Sequence, residues 1–87
     1  MLYLLAYSCD GSREAAVSDV ARSLSDDCFK LRDGVWIVEA EGPATVMRDR
    51  IRAHLEEGDT VAVMLLAGHA VWDGYDREES DWLLARL

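Results

Sequence analysis

Residues 30–55 read KLRDGVWIVEAEGPATVMRDRIRAHL, and in that order they spell strand, two-residue turn, strand and helix. Asp33-Gly34 is a favoured type I′ turn pair. A two-residue loop fixes the register, so Arg32 is expected opposite Val35, Leu31 opposite Trp36, Lys30 opposite Ile37 and Phe29 opposite Val38. Because successive strand residues point to opposite sides, two faces follow. One carries Phe29, Leu31, Trp36, Val38 and Ala40, an apolar set expected beneath helices. The other carries Lys30, Arg32, Val35, Ile37, Glu39 and Glu41, which is mixed.

Gly42-Pro43 then opens a helix, proline costing nothing where its missing N–H has no partner to lose. Met47, Ile51 and Leu55 recur at four-residue spacing with Val46 beside them, and Gly58 is the expected residue just past the helix end. Upstream, Leu2–Tyr7 is a continuous apolar run closed by Ser8-Cys9-Asp10-Gly11-Ser12, a strand entering a loop. Ser12 is placed to cap a helix with its apolar stripe at Val17, Val20, Ala21 and Leu24. Downstream, Thr60–Leu66 is a strand apolar on both faces. Residues 69–76 are irregular or a short edge strand, and Asp76 with Glu79 forms a capping-box start for a terminal helix docked by Trp82, Leu83 and Leu87.

The order strand, helix, strand, strand, helix, strand describes an α+β, ferredoxin-like βαββαβ domain over residues 1–87, its antiparallel four-stranded sheet followed by an extra C-terminal helix. Two helices on one face leave the other bare. With Val35 and Ile37 pointing there, a monomer would expose a large apolar patch. The expectation is therefore a homodimer packed sheet face to sheet face, burying about 800 Å² per subunit.

Composition narrows the function classes. Eighty-seven residues make one small core with a thin stability margin. Net charge is −8, from 17 acidic against 9 basic residues, and that balance argues against a high-affinity, non-specific nucleic-acid binder. Met1–Tyr7 is apolar but short, with no basic flank or cleavage pattern, and no run approaches the length of a membrane span, so a cytoplasmic chain is expected. Cys9 and Cys28 fall at opposite ends of two parallel strands, beyond the roughly 7 Å Cα separation a disulfide allows. His54 and His69 stand apart and lack zinc-ligand spacing. Arg48, Arg50 and Arg52 are the one basic cluster; Arg48 and Arg52 share a helix face, which reads as a solvated ion-pair face or as a phosphate contact.

The pattern Trp36-Ile37-Val38-Glu39, then Ala44, Arg48-Asp49 and Leu55, then Gly58-Asp59 before an apolar strand, resembles the SinR-like small bacterial proteins, relatives of the Cas-two family of CRISPR adaptation proteins. Ala70-Val71-Trp72 and Ser80-Asp81-Trp82-Leu83 continue the likeness. It implies a ferredoxin-like subunit and a symmetric dimer. In that family an aspartate closing the first strand is assigned as a metal ligand for phosphodiester cleavage, paired across the dimer axis with its symmetry mate. Here the matching position reads Tyr7-Ser8, and the nearest carboxylate is Asp10. A magnesium site needs hard oxygen ligands in near-octahedral geometry, and Asp10 would supply one from a turn rather than a strand end. The resemblance also bears on Trp72 and Tyr75, which either cover the edge strand or wrap onto a neighbouring subunit, as terminal segments do in that family.

The leading expectation is a non-enzymatic homodimeric assembly or interaction module, requiring no cofactor, with Val35, Ile37, Trp72 and Tyr75 at the dimer interface. One alternative is a divalent-metal-dependent nuclease acting on RNA or DNA at the dimer axis, magnesium being a candidate metal, with Asp10 as catalytic metal ligand and Arg48 and Arg52 on phosphate. Another is a regulatory or antitoxin-type protein whose acidic surface engages a basic partner.

Overall fold

A computed structural model describes residues 1–87. Its strands are β1 (Leu2–Ser8), β2 (Cys28–Arg32), β3 (Val35–Glu39) and β4 (Thr60–Leu65), and its helices are α1 (Glu14–Ser23), α2 (Ala44–Arg52) and α3 (Arg77–Arg86). The sheet is antiparallel throughout, in the order β2-β3-β1-β4. The chain is thus α+β, with each strand-helix-strand unit split by a strand of the other.

Alternation along β1 sorts the interior into two layers. Tyr3, Leu5 and Tyr7 join Trp36 and Val38 beneath Val17 and Ala21 of α1 and Met47 and Ile51 of α2. Leu2 faces the opposite way and packs with Ile37 and Leu83. The second sheet face is therefore covered from within the chain, by α3. This corrects the expectation of a bare face: Ile37 is only 5% exposed, because the terminal helix folds back across it. Asp76 and Glu79 form the expected capping box that starts α3. At the other end Arg86 clamps Asp27 with Nη2 contacts of 2.7 and 2.9 Å, while Trp82 Nε1 donates to the same carboxylate at 3.2 Å.

The hairpin register differs from the sequence reading. Cys28 pairs with Val38, Phe29 with Ile37 and Lys30 with Trp36, while Arg32 still meets Val35, so Leu31 is bulged out. The turn explains it. A type I′ turn needs positive φ at both central residues, but Gly34 alone is left-handed (φ 81°) and no non-glycine residue in the chain has positive φ. The strand absorbs one extra residue and every position before it changes face. Phe29 moves to the α3 side, stacking on Trp82 at 5.4 Å between ring centroids. Lys30 moves under α1.

Gly34 is also fixed by contact. Its carbonyl accepts from the Tyr7 amide at 2.8 Å, and a Cβ at this position would lie 2.5 Å from the Tyr7 carbonyl oxygen. Helix α2 stops at Arg52, short of Leu55. The Arg52 guanidinium donates to the carbonyls of Asp59 and Glu56, and the Asp59 carboxylate accepts the Glu56 amide, so the chain turns early. No helix is long and apolar enough to cross a membrane.

Candidate functional site

The second sheet face holds an apolar concavity. Helix α3 covers only part of this face, and residues 66–75 run along its margin, leaving an open cleft of about 420 Å³ lined by Leu4, Ile37, Leu66, Trp72, Tyr75 and Leu83 among others, with Asp73 as its one polar residue. Three of the four expected interface residues, Ile37, Trp72 and Tyr75, come together here. Each is already engaged: Trp72 Nε1 donates to Ser80 Oγ at 3.0 Å, and Tyr75 meets Phe29 edge to face at 6.1 Å. Val35 lies on β3 beside Ala6 of β1, half-buried and outside the cleft lining.

Edge strand β4 and the cleft margin expose large apolar side chains that sequence reasoning did not single out, Met64 on the α3 face of the sheet, Leu65 on the other, and Val71 in the cleft lining. Met64 is 53% exposed, Leu65 55% and Val71 81%. The signal was available: Thr60 through Trp72 contains no Asp, Glu, Lys or Arg in a chain that is 30% charged. Such exposure of large apolar side chains along one segment marks contact surfaces.

The turn after β1 is arranged differently from what its alignment with a metal ligand implies. Asp10 Oδ1 accepts the Ser12 amide at 2.9 Å and caps a single 3-10 turn, Gly11–Arg13, that leads into α1. Hydrogen bonding from Ser12 holds its carboxyl below the ordinary value. Ser12 is thus the capped residue rather than the cap. No group of three or more His, Cys, Asp or Glu side chains is close enough to hold a metal ion. Near the same end of the sheet Arg13 grips Asp59 at 2.6 Å, a pairing that lowers the Asp59 carboxyl below its usual range.

The two arginines considered for phosphate are exposed and paired. Arg48 binds the neighbouring Asp49 through Nε at 3.0 Å and Nη2 at 2.9 Å. Arg52 holds the loop after α2, donating to the Asp59 carbonyl at 2.7 Å. Arg48 fits the exposed ion-pair reading, whereas Arg52 serves the backbone of the loop that follows α2.

A polar network beneath α1 is the feature that no sequence signal announced, because the Leu31 bulge creates it. Glu14 Oε1 accepts from Ser18 Oγ at 2.7 Å, Tyr7 Oη at 3.0 Å and Lys30 Nζ at 3.1 Å. Lys30 also donates to Ser18 at 3.0 Å and pairs with Asp33 at 3.0 Å. Burial pushes the Glu14 carboxyl up, but the bonds from Ser18, Lys30 and Tyr7 outweigh it and leave the group below its ordinary value. Hydrogen bonding to Asp33, opposed by desolvation and reinforced by Glu14, keeps Lys30 charged to higher pH. Burial raises the Tyr7 hydroxyl. Arg22 and Lys30 both lie over the Trp36 ring, at 5.3 and 5.7 Å from its centroid, while the Trp36 N–H is buried without a partner. Ser18, only 5% exposed, is shielded from solvent, and its bonds go to a charged lysine and a carboxylate. The cluster ties α1 to the hairpin.

No family model matches the sequence, and no curated protein matches it. The fold is similar to that in the crystal structure of hypothetical protein TT1823 from Thermus thermophilus, with a TM-score of 0.69 across 85% of this chain and 90% of that one, at 22% identity. At that identity the likeness speaks for the fold alone.

Proposed function

We propose that this chain is a ferredoxin-like, homodimeric interaction module, similar to the Cas-two and SinR-like proteins, that works in the cytoplasm by assembly rather than catalysis. The interleaved strand order β2-β3-β1-β4, antiparallel at every junction, supports the ferredoxin-like assignment. The observation that carries the functional reading is the exposure of Met64 and Leu65 on edge strand β4 and of Val71 in the cleft lining, within a stretch free of Asp, Glu, Lys and Arg in a chain otherwise rich in charge. A surface of that kind gains free energy when another surface covers it.

Because α3 occupies Ile37, this reading places the interface at the β4 edge rather than on the expected face. The Asp10 carboxylate caps the turn that leads into α1, which supports a non-catalytic role for it. Sedimentation equilibrium tests the assembly. A dimer at tens of micromolar protein, weakened by Val71→Asp or Met64→Glu, is expected, and a wild-type chain monomeric throughout refutes the reading. Magnesium-dependent cleavage of RNA or double-stranded DNA that disappears in Asp10→Ala would refute the non-catalytic part.

A further inference from the structure

The sheet has two edges, and they are unequally guarded. Strand β2 carries the Leu31 bulge with Lys30 and Arg32, the devices by which natural sheets discourage edge pairing. Strand β4 has neither a bulge nor a charged residue nor a proline between Thr60 and Leu65, and β1 is its one partner.

The register shows which backbone groups of β4 are free. Leu66 N donates to Leu2 O at 2.8 Å, which makes Leu2 and Leu66 a hydrogen-bonded pair. In an antiparallel ladder such pairs alternate with non-bonded ones. Leu4–Met64 and Ala6–Ala62 are then bonded pairs, and Leu5–Val63 and Tyr7–Val61 are not. The N–H and C=O groups of Val61, Val63 and Leu65 accordingly point away from the sheet.

We propose that β4 pairs antiparallel with β4 of a second copy, about a two-fold axis at Val63, joining two sheets into one of eight strands. This rests on the homodimer reading and names its interface. The strand is self-complementary in this register. Val63 faces its own symmetry mate, Val61 faces Leu65 of the second copy and Leu65 faces Val61, giving about six backbone hydrogen bonds. The non-bonded positions, where side chains approach more closely, set Met64 against the smaller Ala62. Charge leaves this edge as the place where a second copy is least opposed. Two chains of net charge −8 repel, and the repulsion is least where neither presents a carboxylate, as along Thr60–Trp72. The half-exposed Met64 and Leu65 gain cover at the same time.

Val63→Pro tests the pairing. It removes an N–H that β1 does not use and obstructs the symmetry axis, so the ladder inside the chain keeps its bonds. Sedimentation equilibrium should show dimerisation weakened about tenfold or more, with the circular dichroism of wild type. Amide hydrogen exchange on the wild-type protein gives the same answer without a variant. Val61, Val63 and Leu65 should gain protection as concentration rises, whereas Ala62 and Met64 stay protected at every concentration. Free exchange at Val61, Val63 and Leu65 in a protein that sediments as a dimer overturns the edge pairing and leaves the homodimer standing. A chain that is monomeric at all concentrations overturns both.

Discussion

Leu83→Ala asks whether α3 or a partner is what covers the second sheet face. Leu83 is 2% exposed and packs with Leu2 and Ile37 at the centre of the smaller apolar cluster. Truncation removes three carbon groups worth about 0.8 kcal/mol each, or about 2.4 kcal/mol in transfer free energy. A sealed core would add a penalty for the cavity, taking leucine truncations up to about 5 kcal/mol. Here the site borders an open cleft that solvent can enter, so the added cost is small and about 2.5–3 kcal/mol is expected.

Two observables separate the possible outcomes. Urea unfolding followed by tryptophan fluorescence should show the midpoint fall, and exchange of the α3 amides should accelerate more than exchange in β1. The helix is terminal, so it can undock before the sheet melts. In that case the loss in global stability is limited by what α3 docking contributes, and the exchange data report the remainder. Loosening α3 also bares Ile37 and Leu2, and binding of a hydrophobic dye should rise. A midpoint loss worth less than about 1 kcal/mol, with α3 exchange unchanged, would refute the view that Leu83 anchors the cover.

Gly34→Ala combines a positive φ with a clash against the Tyr7 carbonyl, and should cost about 3 kcal/mol by thermal or urea unfolding; a loss under about 0.5 kcal/mol would mean that the turn relaxes freely. Glu14 has a folded pKa below its ordinary value of 4.5, so the stability it contributes is fully present above that value and disappears as pH falls through the lower folded one. Glu14→Gln should lower stability at pH 7 by about 1–2 kcal/mol and flatten the acid limb of the stability profile. An acid limb identical to wild type would show that Glu14 does not carry it.

The element order and the capping box of α3 were legible in the sequence, because hydrophobic period and capping chemistry are local signals. The faces of β2 were not. They depended on Asp33 adopting a positive φ, and Asp33 does not. One bulged residue then inverted Phe29 and Lys30. The cover on the second face was missed for a related reason. Trp82 and Leu83 announced a docked helix, but where it docks depends on Asp27, which meets Arg86 from 59 positions away. Among the candidate site residues, Asp10, Arg48 and Arg52 were each weighed against a plain structural role, and each has such a role here.

The bulge at Leu31 links these observations into one account of assembly. By turning Lys30 inward it supplies the cation that satisfies Glu14, and so binds α1 to the hairpin. By turning Phe29 outward it supplies the ring on which Trp82 stacks, and so helps hold α3 over Ile37. The same irregularity spoils β2 as a pairing edge. A regular two-residue hairpin would have left Phe29 on the α1 side, the second face without that aromatic contact and β2 open to pairing. With the bulge, Ile37 is covered and β2 is spoiled as an edge, which leaves β4 as the regular strand edge, with Met64 and Leu65 exposed along it. Removing Leu31 should therefore do more than destabilise the chain. It should restore the regular register, loosen α3 and make β2 a second pairing edge, so that, if β4 pairs as proposed, dimers give way to longer assemblies. Sedimentation velocity reads that change directly, and a Leu31 deletion that folds with α3 docked and stays dimeric would break the link between the bulge and the choice of edge.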